Sequence, residues 1–200
     1  FYFSSHPLSL YPSNFFKKLN ILDFNQIENQ NESSVKVAGS ILDIKERSNK
    51  DGKKYAFIIV SSINAQFELT IFSENLFKYR NLLNEGNVVL FEIDIVKNIQ
   101  DNRYIIKRMT DFDNYYNKFN KKINIYTSLK VFNEKKEDLL NSETNPNENI
   151  FLYTNVDNKL VSLNFHNKYS LKSYILLDNL KKSKKLDYSI ELSWLFLFFI

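Results

Sequence analysis

The chain has 200 residues with 27 basic and 23 acidic side chains, a formal charge of +4, and is long enough for one or two domains with a buried core. A hydrophobic share of 44% with 16% aromatics excludes wholesale disorder. The absence of cysteine excludes a disulfide scaffold and thiolate-bound zinc or iron–sulfur clusters, and two distant histidines, His6 and His166, do not make a His-rich metal site.

Residues 1–34 read as the tail of a preceding helical domain followed by a linker, with Asn, Gln and Ser crowding positions 29–34. Phe1 stands where a start Met is expected, so the chain reads as the end of a longer protein. FYFSSHPLSLYPSNFF lacks the basic-then-apolar order of a signal peptide.

From Val35 the apolar residues recur with period two. VKVAGSILDIKER predicts a long strand, in which Gly39 permits a bulge or a close backbone approach. SNKDGKK carries the Asp51-Gly52 turn signal, and strands follow at 55–61 and 67–73. Ser73 is a candidate helix cap, with Leu76, Phe77, Tyr79, Leu82 and Leu83 as the apolar stripe and Gly86 as the stop. Strands at 87–96 and 103–109 complete the region. Three strands, a helix and two strands predict a mainly β, five-stranded OB-fold barrel over 35–113.

Residues 114–183 predict a small α+β module of order β-α-β-β-α: a strand at 123–129, a helix at 131–142, a hairpin across Asp157-Asn158-Lys159, and a helix at 170–182. The last stretch, 184–200, ends in LSWLFLFFI, too short for a membrane helix, which needs about 20 apolar residues. It reads either as a last strand or helix end, or as an apolar tail outside the fold.

Nucleophilic catalysis has no G-x-S-x-G and no thiol to build on. The three glycines, Gly39, Gly52 and Gly86, are isolated and form no phosphate-cradling loop. The carboxylate pairs Asp43/Glu46, Glu92/Asp94 and Asp111/Asp113 read as solvated strand faces rather than a two-metal site. No catalytic residue, metal or cofactor is expected in this chain.

Nucleic-acid contact is the chemistry the residues favour, since single strands are held by cations for phosphates and aromatics for bases. Lys45, Arg47, Lys50, Lys53 and Lys54 surround the first hairpin, with Tyr55 beside them. Arg103, Lys107 and Arg108 lie on the last strand, with Tyr104 interleaved. Phe57 and Phe67 read as core, and Tyr55 stands between core and surface. Residues 35–113 hold 12 basic and 11 acidic side chains, so binding there is local and salt-sensitive. Asn, Lys and Ile number 27, 23 and 19 against four Arg, a bias that spreads lysine without regard to function. The KKSKK run at 181–185 reads as a solvated helix end.

FYFSSHPLSLY resembles the segment FYLSGHPLxxY that precedes the OB domain of bacterial replicative DNA polymerase III alpha subunits. Val37-Ala38-Gly39, Lys45-Glu46-Arg47, Gly52-Lys53, Ala56-Phe57, Glu68, Phe72-Ser73-Glu74 and Gly86 are similar, in order, to that family's OB domain. Residues 121–183 resemble its small C-terminal domain. The resemblance implies a bacterial, cytoplasmic replisome protein whose OB domain lies near single-stranded template and whose C-terminal domain contacts the clamp loader. It implies the remainder of the polymerase as a partner if separately encoded, and the short apolar run gives no expectation of a membrane partner. The family's nucleotidyltransferase palm and its Mg2+ have no counterpart here. Ala65 stands where the family has Gly after the second strand, implying a different turn.

Two further readings compete with this one. One is a protein-interaction module that has lost nucleic-acid binding, and the other is the product of a split or decayed polymerase gene. An independent nuclease would require an acidic cluster that the sequence lacks.

Overall fold

The computed structural model describes residues 6–27, 32–97, 102–165 and 168–194. They fall into two compact units, Phe1–Ser9 with Phe16–Tyr115 and Leu10–Phe15 with Tyr116–Ile200. His166, the 98–101 turn and the end of the apolar run, 195–200, lie outside the described residues. Among the described residues no helix is long and apolar enough to cross a membrane.

The first unit begins with part of a short helix, α1 (Ser13–Lys18), and a two-residue strand, β1 (Ile21–Leu22). β2 (Ser34–Ser48), β3 (Lys54–Ser61) and β4 (Gln66–Phe72) follow as an antiparallel meander. After α2 (Ser73–Lys78) come β5 (Val88–Val96) and β6 (Arg103–Asp111). Alternation aims Val35, Val37, Ala56, Ile58, Leu69, Ile71, Phe91 and Ile93 into one core. Burying each of the Val, Ile, Leu and Phe side chains among them contributes about 1.5–3 kcal/mol. At the first hairpin, Asn49 Oδ1 accepts from the backbone N–H groups of Asp51 (3.0 Å) and Lys53 (2.8 Å), and Gly52 takes φ +75°. Ala65 makes its turn without a positive φ, because Ser62 N–H reaches its carbonyl at 2.7 Å and Ser62 Oγ accepts from its N–H at 3.1 Å.

The strand order is β1-β2-β3-β4-β6-β5, with β2 also paired to β5 from Ser34 to Ser40. This corrects the expected five-stranded barrel. The sheet has six strands, since β1 adds in parallel to β2, and no continuous ladder closes it. β4 and β6 meet at one parallel pair, Thr70 with Ile105. Rings occupy the seam instead: Phe24 stacks on Phe67 at 4.0 Å and meets Tyr104 edge-on at 4.9 Å. The architecture is a mixed sheet with interspersed helices, OB-like in its strand order.

Two local expectations also change. Phe72, not Ser73, occupies the N-cap position of α2, without a side-chain cap bond. The helix is only six residues long and gives way to a 3-10 turn at Arg80–Leu82. Leu76 and Leu83 therefore reach the core, while Phe77 is 88% exposed.

Gly39 makes the close approach. A Cβ there would meet Val60 Cγ1 and lie 2.7 Å from the Ser61 carbonyl oxygen. The bulge falls farther on, between Ile41 and Asp43. Gly39→Ala is expected to cost about 1–3 kcal/mol through overpacking, read as a lower urea midpoint with an unchanged m-value. Gly52→Ala, whose added Cβ would meet no atom beyond its chain neighbours within 4 Å, tests turn strain alone.

The second unit contains β7 (Phe119–Tyr126), which follows α3 (Phe112–Tyr116), then α4 (Leu129–Leu139) and the short β8 (Leu140–Asn141). β9 (Glu148–Val156) and β10 (Lys159–Asn164) form the expected hairpin, with Asp157 at φ 49° and Asn158 at φ 63°, the left-handed pair that a two-residue turn requires. β11 (Ser170–Leu171), α5 (Tyr174–Lys182) and β12 (Asp187–Trp194) complete it. The β-α-β-β-α order is thus corrected. β12 pairs with β7 from Asp187 opposite Tyr126 to Trp194 opposite Phe119, giving a four-stranded sheet of order β10-β9-β7-β12. Residues 187–194 belong to this sheet because Tyr188 and Ile190 are buried while Asp187 and Glu191 face outward.

Candidate nucleic-acid interface

The register of the first unit arranges its outward residues in rows. Arg47 stands opposite Tyr55, and Tyr55 opposite Phe72. One step along, Lys45 stands opposite Phe57, Phe57 opposite Thr70, and Thr70 opposite Ile105. Ala56, Ile58 and Val60 fill the core face of β3, so Tyr55 and Phe57 must point outward together. Their rings meet edge-on at 5.5 Å, and Tyr55 lies 6.5 Å from Phe72. Phe72 is 51% exposed. Three aromatic rings and two cations therefore share one open face.

That face slopes into a cleft of about 1020 Å³ at the seam between β4 and β6. Lys53, Lys54 and Tyr55 line one side, and Arg103 and Tyr104 the other. The two groups that the sequence offered separately, hairpin and last strand, meet here. Tyr104 is half-buried against Phe24 and the core, so it presents an edge rather than a free ring.

The remaining candidates lie outside the cleft lining. Lys45 and Arg47 stand on β2 at the margin of the aromatic rows, Lys45 within 3.2 Å of Asp43. Lys50 is exposed in the hairpin turn. Lys107 lies 3.1 Å from Asp94, and Arg108 is 3.6 Å from Glu92. A register shift between Glu92 and Ile93 sets Arg108 opposite Glu92, and Asp94 stands opposite Ile105, so both cations lie among the acids of β5. Exposed pairs of this kind are worth little to stability, yet each offsets a cation that a phosphate would otherwise claim.

Sequence reasoning missed Phe57 and Phe72. The signal for Phe57 was available: Ala56, Ile58 and Val60 form a complete apolar row that fills the core without it. Phe67 is buried as expected, at 6% exposure. Phe24, from the supposed linker, carried no pattern that tied it to the cleft. His6 is half-buried, with Nε2 3.0 Å from Ser61 Oγ and Nδ1 accepting from the Leu8 N–H at 3.1 Å. Burial pulls its pKa below the ordinary 6.5, against the opposing bond to Ser61. Among the described residues no group of three or more His, Cys, Asp or Glu is placed to hold a metal ion.

No family model matches the chain. It is 28% identical over 176 residues to DNA polymerase III subunit alpha of Borreliella burgdorferi, covering 82% of this chain and 15% of that protein. It is 34% identical over 100 residues to DNA polymerase III subunit alpha of Rickettsia prowazekii, covering 48% of this chain and 8% of that one. The chain thus spans a small part of the length of these relatives. Among solved structures it is similar to the mitochondrial single-stranded DNA binding protein Rim1 of S. cerevisiae, with 16% identity, a TM-score of 0.36 and coverage of 40% of this chain and 94% of that one. It is also similar to the single-stranded DNA binding protein of Thermus aquaticus, with 17% identity, a TM-score of 0.33 and coverage of 40% of each chain.

Proposed function

We propose that this chain is a non-catalytic C-terminal part of a bacterial replicative DNA polymerase alpha subunit, and that its first unit holds single-stranded template DNA. The observation that carries the binding role is the pair of rows Arg47–Tyr55–Phe72 and Lys45–Phe57–Thr70, which opens onto the cleft between β4 and β6. Stacking on aromatic rings serves any base, and flanking cations serve the backbone, so this face suits a strand of arbitrary sequence. The likeness in sequence to two polymerase alpha subunits supports the replicative setting. In that setting the second unit meets replisome partners such as the clamp loader.

Salt decides the cation count. With Arg47, Lys53, Lys54 and Arg103 as the phosphate contacts, affinity for oligo-dT falls with salt at a slope of about −3 on logarithmic axes. Lys53→Glu with Lys54→Glu is expected to flatten that slope by at least one and to weaken binding at low salt. Fluorescence anisotropy across a salt series reads both quantities. Undetectable oligo-dT binding by the wild-type chain at low ionic strength overturns the reading. It would favour a protein-interaction module, for which the engagement of Lys45, Lys107 and Arg108 with acids already speaks.

A further inference from the structure

The second unit has an outward face that the reading above does not use. Along β9, Phe151, Tyr153 and Asn155 share one side of the sheet, while Ile150, Leu152 and Thr154 are buried on the other. Tyr126 stands opposite Tyr153 in the parallel β7–β9 pair. The two tyrosine rings are 5.0 Å apart with planes 19° from parallel, and Phe151 continues from Tyr153 at 6.5 Å and 24°. Tyr126 is 41% exposed, and both β9 rings are partly exposed. At the Tyr126 end, a shallow recess of about 390 Å³ is lined by both tyrosines, Thr127, Asn155 and Leu160.

Charge points the same way. Residues 114–200 hold 13 basic against nine acidic side chains. Thr127 Oγ1 donates to the Lys185 carbonyl at 3.0 Å, which fixes the end of the KKSKK run beside Tyr126. The two acids of this face are occupied: Lys181 lies 2.7 Å from Asp187, and Lys122 lies 3.3 Å from Glu191 while its Nζ stands 5.3 Å from the Phe151 ring centroid. Aligned rings with polar neighbours suit flat, hydrogen-bonding bases better than an aliphatic protein surface. A sheet that displays a few aromatics in this manner stacks two or three unpaired bases.

We propose that the outward face of β7 and β9 is a second site for single-stranded nucleic acid, where Tyr126, Tyr153 and Phe151 stack bases and Lys184 and Lys185 meet the adjoining phosphates. The ligand class is that of the first unit, but the site rests on its own residues.

Photocrosslinking of the full chain to oligo-dT carrying 5-iododeoxyuridine, with the adducts mapped by mass spectrometry, tests it. Adducts are expected on Tyr126, Phe151 or Tyr153, and they persist when Tyr55→Ala and Phe72→Ala disable the first face. Tyr126→Ala is expected to weaken binding by that disabled chain roughly 5- to 100-fold. Lys184→Glu with Lys185→Glu, both exposed, weakens it without touching the fold. Adducts confined to the first unit overturn the second site and leave the first reading standing. Adducts confined to β7 and β9 do the reverse. A Tyr126→Ala chain that keeps its adducts and affinity but loses a protein contact assigns this face to protein and also overturns the proposal.

Discussion

Replacing Tyr55 and Phe72 together with alanine is expected to weaken oligo-dT binding by the first unit about 100-fold or more, with little change in stability. The two rings stand opposite each other across the β3–β4 pair, so one strand of DNA passing over the sheet meets both. Each base–aromatic stack is worth about 1–3 kcal/mol by alanine substitution, and two lost stacks reach the stated factor. Phe72 is 51% exposed, and Tyr55 is half-buried outside the core cluster, so truncation opens no cavity in the core. Lys107→Ala supplies the contrast. Its ammonium is already 3.1 Å from Asp94, so its loss removes less phosphate attraction than the loss of Lys53 or Lys54. Anisotropy titrations at one low salt concentration separate the cases. Equal affinity of wild type and the Tyr55/Phe72 variant would place the DNA elsewhere.

How much of this interface was legible follows from what each residue's neighbours signal. The strands of the first unit carry clean alternation, and the hairpin carries Asp51-Gly52, so their existence and order follow from sequence. Position on a face does not follow so easily. Tyr55 and Phe57 are large and apolar, and size argues for the core unless the small partners Ala56, Ile58 and Val60 are counted as a complete inner row. Phe24 cannot be placed from sequence at all. It lies 80 residues from Tyr104 and owes its position to a seam where the strands share a single backbone pair. β12 is the opposite case: DYSIELSW alternates, but the adjoining lysines and the apolar run behind it mask the period. Phe77 shows the limit of helical periodicity, since a stripe drawn over two turns fails when the helix ends after six residues.

The largest effect on stability is expected from Glu148→Ala, through a buried polar cluster in the second unit. Glu148 stands beside Lys121 in the β7–β9 register, and Lys121 has no exposed surface. The Lys121 Nζ lies 3.9 Å from the Tyr116 ring centroid and has no hydrogen-bond acceptor among the described residues. Tyr116 donates its hydroxyl to Tyr174 at 2.8 Å, Tyr174 donates to Glu148 Oε1 at 3.2 Å, and the Leu171 N–H donates to Oε2 at 3.1 Å. Burial pulls the Lys121 ammonium down from 10.5 to about 8, and the Glu148 charge pulls it partly back. Removing Glu148 strips the lysine of its counter-charge and leaves two donors without an acceptor, at a cost of about 3–5 kcal/mol. Lys121→Met also leaves Glu148 buried without its counter-charge, but both hydrogen bonds to its carboxylate stay in place, so it is expected to cost less than Glu148→Ala. The pH dependence carries a sign of its own. Between about pH 8 and pH 10 the unfolded chain keeps a proton on Lys121 that the folded chain has released, so stability rises with pH in that window. Tyr116 and Tyr174 ionise well above 10 in the folded chain, chiefly through burial, so past pH 10 the unfolded tyrosines lose protons first and stability falls again. Urea melts at pH 7, 8.5 and 9.5 check the rise. Wild type gains stability across the series, and Lys121→Met stays level. A wild-type curve as level as that of the methionine variant would mean that Lys121 is not held in a buried, charge-averse site.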